Sequence, residues 1–174
     1  MTCVLAILIS GLTDIWGVGT WKLADELEKI SYVQIAKFGP DLIGNYDLEE
    51  IVSKIKSQSR SHCRIVIIAH SKGSNIALEV AQILYDQEFP VDLLVTFDPA
   101  ARLEMKPIRA NTLQAINYYQ TRELLGRGRL TKTKANHNTI LVERKEALPH
   151  VTMPSDRGLI KEIIADVKAL ARRK

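Results

Sequence analysis

Long hydrophobic runs are missing from this chain. The one early candidate, within MTCVLAILISGL, has no basic flank and is too short to span a bilayer, so it reads as a first core strand. Cytoplasmic placement is the expectation that follows. A surplus of one charge is missing as well. Lys and Arg number 24 against 20 Asp and Glu, a net charge of +4 with no dense basic run, so nothing calls for a nucleic-acid partner. Cysteine is nearly absent: only Cys3 and Cys63 occur. With no export signal, the expectation is two free, buried thiols. Each precedes a strand, though, and neighbouring strands would bring the pair together. Metal and cofactor patterns are also lacking. There is no cysteine–histidine ligand cluster, no phosphate-cradling glycine loop and no dinucleotide fingerprint after the first strand, so no cofactor is expected.

What is present fits one globular domain spanning residues 1–174, with 46% hydrophobic and 25% charged residues. The most informative stretch is Arg64–Ala81, RIVIIAHSKGSNIALEVA. Ile65, Val66, Ile67 and Ile68 make a strand apolar on both faces, as buried parallel strands are. The pattern breaks at Ala69-His70-Ser71-Lys72-Gly73. It resumes as a helix whose Ile76, Val80, Ile83 and Leu84 recur at helical spacing. A serine on such a turn projects its hydroxyl above the sheet, beside the free N–H groups that open the helix. Gly73 allows a close helix–strand approach. The plainer reading of Ser71 is a cap for that helix.

Strand and helix signals alternate along the rest of the chain. Strands are expected at Val4–Ile9, Tyr32–Phe38, Arg64–Ala69, Asp92–Phe97, Gln114–Tyr119 and Thr139–Val142. Helices are expected at Trp21–Ile30, from Asp47 to about Ser57 with Glu50 completing a capping box, from Gly73 to about Gln87, and over Asp156–Arg172. Alternation of this kind predicts an α/β fold: a mostly parallel sheet of about six strands with helices on both faces. Two long connections, Ala100–Asn111 and Gln120–Asn138, are of the length that tends to carry function.

The pentapeptide Ala69–Gly73 resembles the G-x-S-x-G nucleophile turn of the α/β-hydrolase superfamily, with Ala69 for the first glycine. The resemblance extends to a small, lidless serine esterase, lipase or thioesterase. It implies the chain order Ser, then Asp or Glu, then His, which this sequence offers as Ser71, Asp98 and His150. Asp98 stands where Pro99 stops a strand, at the carboxyl end of the sheet, and would otherwise be an ordinary Asp-Pro turn. Glu123, after the next strand, is the alternative acid. His150 lies between the last strand and the closing helix, in ALPHVTMPSD. His137 is second choice as base, while His62 belongs to the opposite edge of the sheet and the His70 side chain is expected to point away from the site.

An acyl-transfer oxyanion needs two preorganised donors. The N–H of Lys72 is one. Leu12, in the loop after the first strand, is the other by position, with Thr13 the alternative. Trp16 and Trp21 would line an acyl pocket, or Trp21 would pack its helix. The resemblance implies hydrolysis of a small-molecule carboxylic ester or thioester through an acyl-serine. The alternatives are an acyltransferase using the same serine, or a binding module without catalysis. Arg102, Lys106, Arg109, Arg122, Arg127, Arg129, Lys132 and Lys134 fall in the two long loops and leave two readings, an anionic substrate or a solvated basic surface. Oligomeric state is not legible.

Overall fold

The computed structural model describes residues 1–12, 19–59, 63–123 and 126–173. Among the described residues six strands and four α-helices follow in the order β1 (Val4–Ile9), α1 (Thr20–Glu28), β2 (Val33–Phe38), α2 (Leu48–Ser59), β3 (Arg64–His70), α3 (Lys72–Asp86), β4 (Val91–Phe97), β5 (Thr112–Tyr119), β6 (Ile140–Lys145) and α4 (Arg157–Arg172), with no helix between β4 and β5 or between β5 and β6. The strands form one sheet in the order β2-β1-β3-β4-β5-β6, and every neighbouring pair is parallel.

Side chains alternate across the pleat and divide the core in two. Val4, Ala6 and Leu8 of β1 join Val66 and Ile68 under α1 and α4, while Leu5, Ile7 and Ile9 join Ile65 and Ile67 under α2 and α3. A strand buried on both faces must be apolar throughout, which is why β1 reads VLAILI. The helices begin where their sequences provide for it. Asp47 accepts the Glu50 N–H at 2.8 Å ahead of α2, and Asp156 accepts from the N–H groups of Gly158 and Leu159 ahead of α4.

Strand order reverses between β1 and β3, which lie side by side while their helices cover opposite faces. Loops leaving such neighbours diverge and open a crevice at the carboxyl ends of the strands. Among the described residues no helix is long and apolar enough to cross a membrane.

The expectation of free thiols is overturned. Cys3 and Cys63 form a disulfide with their Cα atoms 4.5 Å apart. The cause is register: Val4 pairs with Arg64, so the residues just before them face one another, and the Arg64 N–H donates to the Cys3 carbonyl at 2.8 Å. Strand adjacency places the two thiols together, and adjacency is not encoded in either cysteine's local sequence. Closing a loop of 60 residues stabilises the fold by about 4 kcal/mol in the chain-entropy account. Reduction should therefore lower Tm by on the order of 10 °C. Unfolded, unreduced protein should take up no iodoacetamide, and reduced protein two equivalents; alkylation before reduction would show that the bond is absent.

Candidate active site

The site is assembled where β3 and β4 end. β3 runs one residue further than its apolar pattern suggests, through His70, and the chain then turns at Ser71 into α3. Ser71 has φ 53°, a region non-glycine residues rarely occupy. Its N–H donates to the Phe97 carbonyl at 2.9 Å, and its own carbonyl accepts from Ser74 at 3.0 Å. Gly73 makes the turn possible. A Cβ there would lie 2.5 Å from the carbonyl oxygens of Ile9 and Ser10, so α3 starts in direct contact with the end of β1. The Ser71 hydroxyl makes no capping bond to α3, which removes the helix-cap reading.

Oγ of Ser71 instead lies 3.0 Å from Nε2 of His150. Nδ1 of the same ring is 2.7 Å from Oδ2 of Asp98. These partners assign the tautomer: Nδ1–H donates to the carboxylate, leaving Nε2 as acceptor for the serine hydroxyl. The structure thus brings together Ser71, Asp98 and His150, which are separated by 27 and 52 residues in the chain.

Asp98 is fully buried and has φ 45°. A buried carboxylate must be met by donors, and it has four: the Gln120 N–H at 3.2 Å, Gln120 Nε2 at 3.0 Å, the Arg127 N–H at 2.8 Å and His150 Nδ1. Burial pushes its pKa up, but the bonds from His150, Arg127 and Gln120 outweigh this and hold the carboxyl below the ordinary aspartate range. The receiving loop is shaped to fit. Gly126 has φ 76°, and a Cβ on it would fall 2.0 Å from Asp98 Oδ2. On the other side Asn75 of α3, itself buried, holds the segment after Pro99 by accepting the Ala100 N–H at 3.1 Å and donating to the carbonyls of Ala100 and Glu104.

His150 is carried on a short, stiff segment. The N–H groups of Thr152 and Met153 both donate to the Pro149 carbonyl, and the Met153 side chain is anchored in the core beneath α1 and α4. The backbone of His150 is held on both sides. Its N–H donates to Glu123 Oε2 at 2.9 Å, and its carbonyl accepts from Nε2 of His70 at 3.0 Å. The His70 ring is fully buried, 4.7 Å from the His150 ring. Two residues weighed in the sequence, Glu123 and His70, stand here, and the expectation for His70 changes. The Glu123 carboxylate contacts the backbone of His150, while the imidazole is bonded to Asp98. His70 does not point away: on β3 it shares a face with Val66 and Ile68 and therefore meets the histidine loop.

Lys72 is the first residue of α3, where backbone N–H groups have no helical partner, and its Nζ donates to the Gly44 carbonyl at 2.7 Å. Leu12 stands exposed beside Gly44, and Gly11 next to it abuts the Ser71 side chain. Thr13, Trp16 and His62 lie outside the described residues. Trp21 packs against the core under α1, and His137 is exposed on the loop before β6. Several loop cations have partners within the chain: Arg129 with Glu143, Lys106 with Glu104, Arg109 with Gln82 and Lys132 with the Thr139 carbonyl. The described residues contain no group of three or more His, Cys, Asp or Glu placed to hold a metal ion.

No family model and no curated protein matches the sequence. Solved structures do match. The RedJ thioesterase of the prodiginine pathway in Streptomyces coelicolor superposes with a TM-score of 0.66 at 9% identity, over 96% of this chain and 90% of that one. Human thioesterase 2 gives 0.58 at 11% identity, over 99% of each chain. A YdeN-like hydrolase from Pectobacterium atrosepticum gives 0.60 at 19% identity, over 97% of this chain and 93% of that one. The chain has the α/β-hydrolase fold.

Two outcomes test this geometry. Gly126→Ala forces a Cβ onto the Asp98 carboxylate at a positive φ, and should cost roughly 2–4 kcal/mol in denaturant unfolding; an unchanged midpoint would contradict the contact. Because the folded Asp98 pKa lies below its unfolded value, its ionisation stabilises the fold above about pH 4, and that contribution disappears as pH falls through the folded value. Asp98→Asn should accordingly flatten the acid limb of the stability–pH curve, and two parallel curves would refute the shift.

Proposed function

We propose that this protein is a serine hydrolase that cleaves a carboxylic ester or thioester. The observation that carries the reading is the continuous relay from Ser71 Oγ to His150 Nε2 at 3.0 Å and from Nδ1 to Asp98 Oδ2 at 2.7 Å. A serine hydroxyl is a poor nucleophile until a base removes its proton as it attacks. Its φ of 53° and its partly exposed side chain, against a buried base and acid, fit that role. The same fold is found in proteins that are thioesterases, which supports the choice of substrate bond.

Ser71 Oγ attacks the acyl carbon while His150 Nε2 takes the hydroxyl proton. Asp98 remains ionised, fixes the tautomer and stabilises the imidazolium that forms. The backbone N–H groups of Lys72 and Leu12 receive the oxyanion. As the tetrahedral intermediate collapses, the carbonyl reforms and the bond to the alcohol or thiol breaks, with His150 returning its proton to that leaving group. Water, deprotonated in turn by His150, then attacks the acyl-serine. The products are the carboxylic acid and free Ser71.

A fluorophosphonate probe tests this without knowledge of the substrate. Mass spectrometry should find the adduct on Ser71, and Ser71→Ala should abolish labelling with Tm nearly unchanged. An adduct elsewhere, or none on folded protein, ends the reading. Asp98→Asn should lower turnover by around 10⁴-fold, and a variant with near-normal turnover would remove Asp98 from the role.

A further inference from the structure

Glu123 stands after β5, one strand beyond Asp98, and the mechanism above gives it no part. Its carboxylate is nonetheless committed. Oε2 accepts the His150 N–H at 2.9 Å, across 27 residues of sequence. The turn that presents it is built by Gln120, a side chain only 1% exposed. Gln120 Oε1 accepts the N–H groups of Arg122 at 2.6 Å and Glu123 at 2.7 Å, while its Nε2 donates to Asp98 Oδ2 at 3.0 Å. That same Oδ2 receives Nδ1–H of His150. The contacts form a closed ring: Asp98, Gln120, the 121–123 turn, Glu123, the His150 backbone, the His150 imidazole and back to Asp98.

A ring of this kind has a mechanical consequence. The His150 N–H and carbonyl belong to the two peptide planes flanking its Cα, one held by Glu123 and the other by His70. With both planes fixed, only the side-chain torsions remain free to bring Nε2 to Ser71, and the bond to Asp98 sets the second of these. We propose, resting on the hydrolase reading above, that Glu123 is a positioning residue for His150. It acts as a backbone acceptor that locks the histidine loop in the register at which the ring reaches both Ser71 and Asp98, with Gln120 tying that register to the acid. What the site requires of Glu123 is an acceptor at this point, so its charge is secondary. The requirement differs from that on Asp98, whose charge meets the imidazolium.

The test compares Glu123→Ala with Glu123→Gln, whose amide oxygen can still accept from the same N–H. Against a p-nitrophenyl ester, Glu123→Ala should lower kcat by about 10²-fold, the scale on which small misplacements of a reacting group act. KM should change little, and Glu123→Gln should recover kcat to within about threefold of wild type. The low-field proton resonance of His150 Nδ1–H should broaden or vanish in Glu123→Ala and persist in Glu123→Gln. That signal needs no substrate and no active serine. If fluorophosphonate labelling fails on wild-type protein while the resonance follows this pattern, the brace stands and the hydrolase reading falls. The proposal is overturned if Glu123→Gln loses as much as Glu123→Ala, which would mark a needed charge, or if Glu123→Ala keeps both kcat and the resonance.

Discussion

A fully buried carboxylate governs the architecture of this site. Asp98 has no access to water, so its charge is tolerable only because four donors converge on it. Those donors come from three separate parts of the chain: the end of β5, the loop after it and the segment after β6. Each part is fixed by the need to satisfy one group. Gln120 follows β5 directly and supplies two of the bonds, Arg127 sits at φ 67° so that its N–H can reach, and Gly126 leaves space because a side chain would collide with the carboxylate. Gln120, Gly126 and Arg127 thus close around the Asp98 carboxylate.

Strand order makes that convergence possible. A parallel sheet directs every carboxyl end the same way, so the residues after β1, β3, β4, β5 and β6 all emerge on one side. Placing β1 beside β3 then sets the Gly11–Leu12 segment against the Ser71 turn, with Gly73 packed on the carbonyls of Ile9 and Ser10. At the other end the same adjacency brings Cys3 and Cys63 into bonding distance. One pairing thus determines both the covalent tie at the amino ends and the close approach at the carboxyl ends.

Legibility in the sequence followed the range over which each feature is encoded. The Ser71 turn is a local event: an apolar strand, a break and an amphipathic helix within eighteen residues, visible without any fold. Asp98 was visible because Pro99 ends its strand. His150 required the chain order that the hydrolase resemblance supplied. Three features were hidden for physical reasons. His70 depends on where β3 stops: a strand one residue longer turns its ring towards His150. The disulfide depends on which strands are neighbours, and sequence alternation does not give strand order. Gln120 reaches the Asp98 carboxylate 22 residues away, and Glu123 accepts the N–H of His150 27 residues away; a backbone N–H looks the same beneath every side chain.

Two carboxylates, Asp98 and Glu123, compete on paper for one role, and burial separates them. Asp98 is sealed, receives donors on both oxygens and has its ionised form favoured over the protonated one. A carboxylate in that state does not take the proton from imidazolium, and its charge acts at short range through a medium of low polarisability. Glu123 is exposed, so water screens its charge and any electrostatic service to the ring would be weak. A hydrogen bond to a backbone N–H loses less by exposure, because its value here lies in direction and in the peptide plane it fixes. The buried position suits the group that must hold charge, and the outer position suits the group that must hold geometry. Exchanging their roles would require Asp98 to be solvated or Glu123 to be enclosed, and the packing of Gly126 against the one and the open turn at the other prevent both.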